Sequence, residues 1–183
     1  SVYRTISRRK RLFIQAPTGV GKTMSVVFPA VKAFGEGLGE KLFYLTARTV
    51  TAQAARDAFA ILQKQGLRLK RVFLTAKEKI CPLEEPQCDP EHCPYARGHY
   101  DRVNEAVYTF LQNQDYGGRE ELLDWAEQYQ VCPFAFSLDV SSFADAVVGD
   151  YNYAFSPTAR LKRFFGEGMK GDYIFLIDEA HNL

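Results

Sequence analysis

The stretch Leu12-Phe13-Ile14-Gln15-Ala16-Pro17-Thr18-Gly19-Val20-Gly21-Lys22-Thr23 limits the possible folds more than any other. An apolar run leads into a glycine-bearing turn, and a helix-forming stretch follows. Strand, turn and helix in that order make a phosphate-binding loop, with Ala16 in place of the first glycine. The residue types match the chemistry. The turn runs over Ala16, Pro17, Thr18, Gly19, Val20 and Gly21; its N–H groups, which Pro17 lacks, face phosphate oxygens, and the next helix adds its positive N-terminal end. Lys22 reaches the β- and γ-phosphates, and the Thr23 hydroxyl ligates Mg²⁺. ATP with Mg²⁺ is the expected ligand.

Beyond the loop the pattern alternates. Residues 12–16 read as a central parallel strand, 22–34 as a helix, 41–46 as a strand, 50–65 as a helix and 71–75 as a third strand. This β-α-β-α-β order predicts an α/β fold with a parallel sheet. From Cys81 to Cys132 prolines and thiols replace the alternation, with helices expected over 97–112 and 119–130 and no strand signal. That segment is an insertion. Residues 146–148 and 151–153 return as strand material, and 173–177 form a buried strand that ends in acid.

The acid is Asp178-Glu179-Ala180-His181. An Asp in this place holds Mg²⁺ through water, and the adjacent Glu orients and deprotonates an attacking water. With the upstream loop this predicts nucleotide hydrolysis, with Lys22, Asp178 and Glu179 as the catalytic set. After the second strand, Thr46-Ala47-Arg48-Thr49-Val50-Thr51-Ala52-Gln53 clusters hydroxyls, an Arg and a Gln. Such a cluster suits a sugar–phosphate backbone; helix capping by Thr49 or Thr51 explains it equally well.

Four cysteines remain, spaced C-x6-C-x4-C-x38-C at Cys81, Cys88, Cys93 and Cys132. The start of the chain lacks the apolar core of a signal peptide, and no apolar run approaches the roughly 20 residues that span a bilayer. A cytoplasmic setting is the default, where disulfides are rare. Zinc prefers close C-x2-4-C pairs, whereas a four-thiolate [4Fe–4S] site tolerates irregular spacing. His92 and His99 are zinc alternatives, or surface residues. The chemistry leaves iron–sulfur ahead of zinc without closing the question. A net charge of +1 leaves any nucleic-acid footprint to local patches. Both ends look cut, so the sequence reads as part of a larger protein.

In order, APTGVGKT, YLTARTVTAQ, TAKEKICP, HCPYARGHYDR, CPF, VVGDYNYAFSP and IFLIDEAHNL resemble the XPD/DinG-like superfamily 2 DNA helicases with an iron–sulfur cluster. The resemblance spans nearly the whole chain. It implies a RecA-like motor domain in two parts, residues 1–76 and 134–183, around a cluster-bearing insertion at 77–133. By it, Cys81, Cys88, Cys93 and Cys132 fall at the [4Fe–4S] ligand positions, in a cluster that preparation can strip or replace with zinc. Thr46, Arg48 and Thr49 would touch single-stranded DNA, and His181 would couple the ATP site to the DNA path. Tyr95, Arg97, His99, Tyr100 and Arg102 would line the pore at the fork. The implied activity is an ATP-dependent 5′→3′ DNA helicase of DNA repair, monomeric, and nucleoid-associated if bacterial. The family's adenine-reading residues lie upstream of the loop, and its arch and second motor domain lie after the acid motif. These 183 residues would thus hold half an ATPase site and be inactive alone. The competing reading is a zinc-stabilised module that binds nucleotide and DNA without unwinding.

Overall fold

The computed structural model describes residues 1–17, 21–47 and 49–182. In chain order these form α1 (Val2–Ser7), α2 (Lys22–Gly35), β1 (Lys41–Thr46), α3 (Thr49–Lys64), β2 (Arg71–Phe73), α4 (Lys77–Ile80), α5 (His99–Asn113) and β3 (Tyr116–Gly117). There follow α6 (Arg119–Tyr129), α7 (Pro133–Phe143), β4 (Ala146–Asp150), α8 (Asn152–Phe155), α9 (Lys162–Phe165) and β5 (Tyr173–Ile177). They divide into two compact units, one of Ser1–Arg68 with Asp145–Leu183 and one of Leu69–Ala144.

The first unit is built on β1, whose six residues are all buried. Burial on both faces explains the apolar run from Leu42 to Leu45, as expected for a strand inside a parallel sheet. Both neighbours pair with it in parallel: Leu42 lies opposite Ala146 of β4 and Ile174 of β5, and Tyr44 opposite Val148 and Leu176. This register brings the C-terminal ends of β1, β4 and β5 to one edge. Helix α2 buries Val27, Ala30 and Val31, and α3 buries Ala55, Ala58 and Phe59, the three-and-four spacing of an amphipathic helix. Phe43 centres an aromatic cluster, with the rings of Phe164, Phe165, Tyr173 and Phe175 at 5.0 to 5.4 Å.

The second unit packs α5, α6 and α7 around Phe110, whose ring meets Trp125 at 5.4 Å and Phe136 at 5.6 Å, both edge-on. Its strands β2 and β3 pair in parallel, Arg71 with Tyr116 and Val72 with Gly117. Gly117 suits the close approach there, since a Cβ would stand 3.1 Å from the Phe110 ring and push it aside by a few tenths of an ångström. Lys70 caps the end of α5 by donating to the carbonyls of Leu111 and Gln114, groups the helix leaves without partners.

Four sequence expectations change. Residues 12–16 form no strand: Leu12, Phe13 and Ile14 are exposed, Phe13 by 87%. Apolar composition creates a tendency to pair, but a ladder also needs a partner strand, and among the described residues this run pairs with none. The 151–153 stretch opens helix α8 instead of extending a strand, because Asp150 Oδ1 accepts the Asn152 N–H at 2.8 Å and starts a helical turn. The cysteine-rich segment does contain a strand, the two-residue β3. Its dipeptide is too short to carry a period, and a long-range partner creates it. Helix α7 went unread, since its apolar residues lie all round it and leave no helical stripe.

Candidate functional site

Gly21 takes a left-handed conformation, φ +70°, at the start of α2. Nothing lies within 4 Å of where its Cβ would be, so the backbone and not space calls for glycine. Ala16 is half-buried and Pro17 exposed; Thr18, Gly19, Val20 and Arg48 lie outside the described residues, as does the Thr49 side chain. Lys22 Nζ stands 3.7 Å from Glu179 Oε1. The same edge of the sheet carries Asp178, whose N–H continues the ladder by donating to the Leu45 carbonyl at 2.9 Å.

Tyr44 ties these parts together. Its ring is buried in the middle of β1, and its hydroxyl donates to Asp178 Oδ2 at 2.9 Å. The Thr23 side chain hydrogen-bonds the same phenol oxygen. Burial, and then the negative charge of Asp178, push the Tyr44 hydroxyl far up, which keeps it a proton donor. Asp178 Oδ1 takes the Glu179 N–H at 3.0 Å, so both oxygens of this carboxylate are fixed. Glu179 is left-handed at φ +52°, a strain of about 1–3 kcal/mol for a residue with a Cβ. Tyr151 holds that turn: its hydroxyl bonds the Asp178 carbonyl and lies 3.0 Å from the Glu179 carbonyl. His181 Nδ1 reaches Glu179 Oε2 at 3.4 Å.

Thr23 and Asp178 are thus each one hydrogen bond from the same phenol oxygen, with Lys22 against the neighbouring carboxylate. Two hard oxygens and a cation at a sheet edge suit a divalent ion with a polyphosphate. Neither tyrosine was read from the sequence. The available signal was a hydroxyl-bearing ring inside a strand buried on both faces, since such an O–H needs a partner.

In the second unit all four cysteines are free; Cys93 is buried, Cys81 and Cys132 half-buried and Cys88 exposed. Burial raises the Cys132 thiol, and Cys88 and Cys93 are near enough to raise it further. Lys77 hydrogen-bonds Cys88, which holds the ammonium above its usual range. Tetrahedral zinc with Zn–S bonds of about 2.3 Å would draw its sulfurs to about 3.8 Å of one another. Among the described residues, the one trio of metal-ligating types drawn within 4.8 Å is the exposed Asp89, Glu91 and His92, none of them a cysteine. There Asp89 Oδ1 caps a turn, accepting the Glu91 and His92 N–H groups. Four free thiols in one unit, with Cys88 and Cys93 within electrostatic reach of Cys132, are a donor set that suits a thiolate-held metal centre.

His99 corrects the surface expectation. It is 5% exposed, and its Nδ1 accepts the Cys132 N–H at 3.2 Å. The ring is therefore neutral, and burial lowers its pKa against an opposing pull from Asp139. Of the remaining sequence candidates, Thr46 is buried at the end of β1, Tyr95 half-buried and Tyr100 86% exposed. Arg97 donates to the carbonyls of Pro90 and Glu91, and Arg102 to those of Arg97, Tyr129 and Gln130.

The DEAD_2 family model matches residues 48–183, and a DEAD/DEAH box helicase model matches residues 1–87. A curated relative, the general transcription and DNA repair factor IIH helicase subunit XPD of Dictyostelium discoideum, is 22% identical over 199 residues. That match covers 93% of this chain and 25% of the relative, so the chain spans about a quarter of its length. Two solved structures, an XPD helicase and a truncated XPD, superpose with TM-scores of 0.65 at 18% identity. Each covers 99% of this chain, which spans 31% of the first and 51% of the second. The chain belongs to the DEAD_2 family and has the α/β fold of the XPD helicases.

Proposed function

We propose that these residues form the first motor lobe of an ATP-driven DNA helicase that moves 5′→3′ on single-stranded DNA. The observation that carries this is the convergence of Lys22, Thr23, Tyr44, Asp178 and Glu179 at one sheet edge. Phosphates entering there meet the N-terminal end of α2 and the Lys22 ammonium. Lys22 then turns from Glu179 to the phosphate, which leaves the Glu179 carboxylate to orient a water and take its proton. Asp178, fixed through both oxygens, and Thr23 would hold Mg²⁺, which when bound supplies positive charge against the phosphates. Tyr151 keeps the strained acid turn closed.

Residues 1–76 and 134–183 are assigned to the motor and 77–133 to the insertion. Cys81, Cys88, Cys93 and Cys132 would hold [4Fe–4S], which when bound supplies a rigid cross-link among loops that have few strands. Thr46, Arg48 and Thr49 would meet the DNA backbone, and Tyr95, Arg97, Tyr100 and Arg102 would offer rings and positive charge where strands part. Among the described residues no helix is long and apolar enough to cross a membrane; a cytoplasmic monomer is the proposed state. The 183 residues alone would bind Mg-ATP weakly and unwind nothing, because such motors meet transition-state charge with an arginine from a second lobe.

The test separates the cradle from the base. In the full-length protein to which we assign this lobe, Lys22→Ala should weaken nucleotide binding and cut turnover by roughly 10²–10³-fold. Glu179→Gln should bind nucleotide normally yet stop hydrolysis. Steady-state ATPase with a binding titration distinguishes the two; near-normal turnover in either variant sinks the assignment.

A further inference from the structure

The cysteines sit on turns, and something must hold those turns in place before any metal arrives. Arg97 donates from Nε to the Pro90 carbonyl at 2.9 Å and from Nη2 to the Glu91 carbonyl at 3.0 Å. Pro90 and Glu91 lie between Cys88 and Cys93. Five residues on, Arg102 donates from Nε to the Tyr129 carbonyl at 3.0 Å, and from Nη2 to the carbonyls of Gln130 at 2.5 Å and Arg97 at 2.7 Å. Tyr129 and Gln130 end α6 just before Cys132, at carbonyls the helix cannot satisfy itself. His99, between the two arginines, accepts the Cys132 N–H. Gly98 at φ +68° turns the chain into α5, and a Cβ there would run into the Arg102 guanidinium.

We propose that Arg97 and Arg102 are positioning residues for the thiolate centre: their guanidinium forks bind backbone carbonyls and lock the Cys88–Cys93 turn to the Cys132 turn. This rests on the reading that the four cysteines hold a metal centre. It gives both arginines a use inside the unit that sequence resemblance had assigned to DNA alone. The argument is geometric. Each guanidinium places two N–H directions in one plane and here meets at least two carbonyls at once. A lysine keeps the charge but has no fork. Charge-preserving substitution therefore distinguishes a carbonyl clamp from a simple phosphate contact.

The experiment measures metal in the chain purified without oxygen. Iron, acid-labile sulfide and zinc are determined, then release of whichever metal is bound, iron or zinc, to EDTA is timed for wild type, Arg97→Lys and Arg102→Lys. Outer-shell changes at metal sites typically cost about 10–100-fold, so each lysine variant should release that metal about tenfold faster or more. Trp125 emission should stay unchanged in both. Arg97 lies on the exposed side of the turn, so its variant keeps the proposal testable if Arg102→Lys does not fold. Wild-type release in Arg97→Lys overturns the clamp, as does unchanged release with weakened single-strand binding, which would leave the arginines their DNA role alone. A wild-type chain with neither iron nor zinc overturns the metal-centre reading and the clamp with it; wild-type metal with unchanged variants overturns the clamp alone.

Discussion

Asp178 and Glu179 stand where β5 ends, in a parallel register that fixes their height against Thr46 and Asp150. Cys88, Cys93 and Cys132 stand on loops, and what orients those loops is a set of side chains: arginines donating to backbone carbonyls and His99 accepting the Cys132 N–H. In the first unit the ladder positions the acids, and hydroxyls from Tyr44 and Tyr151 make the final adjustment. In the second the side chains do the positioning themselves. The lesson concerns tolerance. A ladder shares its load over many bonds, whereas a guanidinium fork concentrates it on one residue, so single substitutions should act locally in the second unit and through packing in both.

The largest expected effect tests how far the second unit depends on its helical core. Phe110→Ala removes the ring that Trp125 and Phe136 meet edge-on and should cost about 3–5 kcal/mol. Trp125 is the chain's single tryptophan, so its fluorescence in urea reports this unit directly. A midpoint within error of wild type would mean that the turns, and not the core, carry the unit.

A smaller effect lies on the ladder side. Lys41 is buried in β1 with its ammonium 5.4 Å from the centre of the Phe164 ring. Burial lowers its pKa from 10.5 to about 8, against a pull upward from Asp145. At pH 7 both folded and unfolded chains keep this proton, and the folded state bears the whole cost of burying the charge. Above about 8 the folded chain loses the proton while the unfolded chain keeps it until 10.5. Stability should therefore rise from pH 8 to 10 by about 1.4 kcal/mol per unit, and Lys41→Met should abolish the rise. Urea unfolding by circular dichroism across that range checks it; an equal rise in the variant assigns the effect elsewhere.

The smallest sharpens the role of the hydroxyls. Tyr44→Phe deletes one donor to Asp178 and leaves the ring packed, a loss of about 2 kcal/mol for a bond to a charged group. The gain in affinity for a fluorescent ADP analogue on adding Mg²⁺ should shrink correspondingly, while affinity in EDTA stays level. An unchanged Mg²⁺ effect would show that β1 alone fixes Asp178.

By itself the sequence determined the elements whose signals are local. β1 and β5 have the limits their sequences suggest, Lys41–Thr46 and Tyr173–Ile177. Helices α2, α3, α5 and α6 fall within two residues of their expected limits, since three-and-four periodicity and glycine stops are written in neighbouring residues. It also placed Lys22, Thr23, Asp178 and Glu179 at element ends, because loop and acid motifs are contiguous. Tertiary structure decided what depends on a distant partner. Leu12–Ile14 have the composition of a strand and lie exposed with no strand partner among the described residues, whereas Tyr116-Gly117 pairs because Arg71 and Val72 lie beside it. His99 reads as a polar residue in a basic run, and packing buries it under the Cys132 N–H. Tyr44 and Tyr151 meet the acid turn from positions 134 and 27 residues away from Asp178. No local pattern encodes that meeting: a hydroxyl's partner is set by which strand ends beside it, and strand order exists only once the sheet has formed.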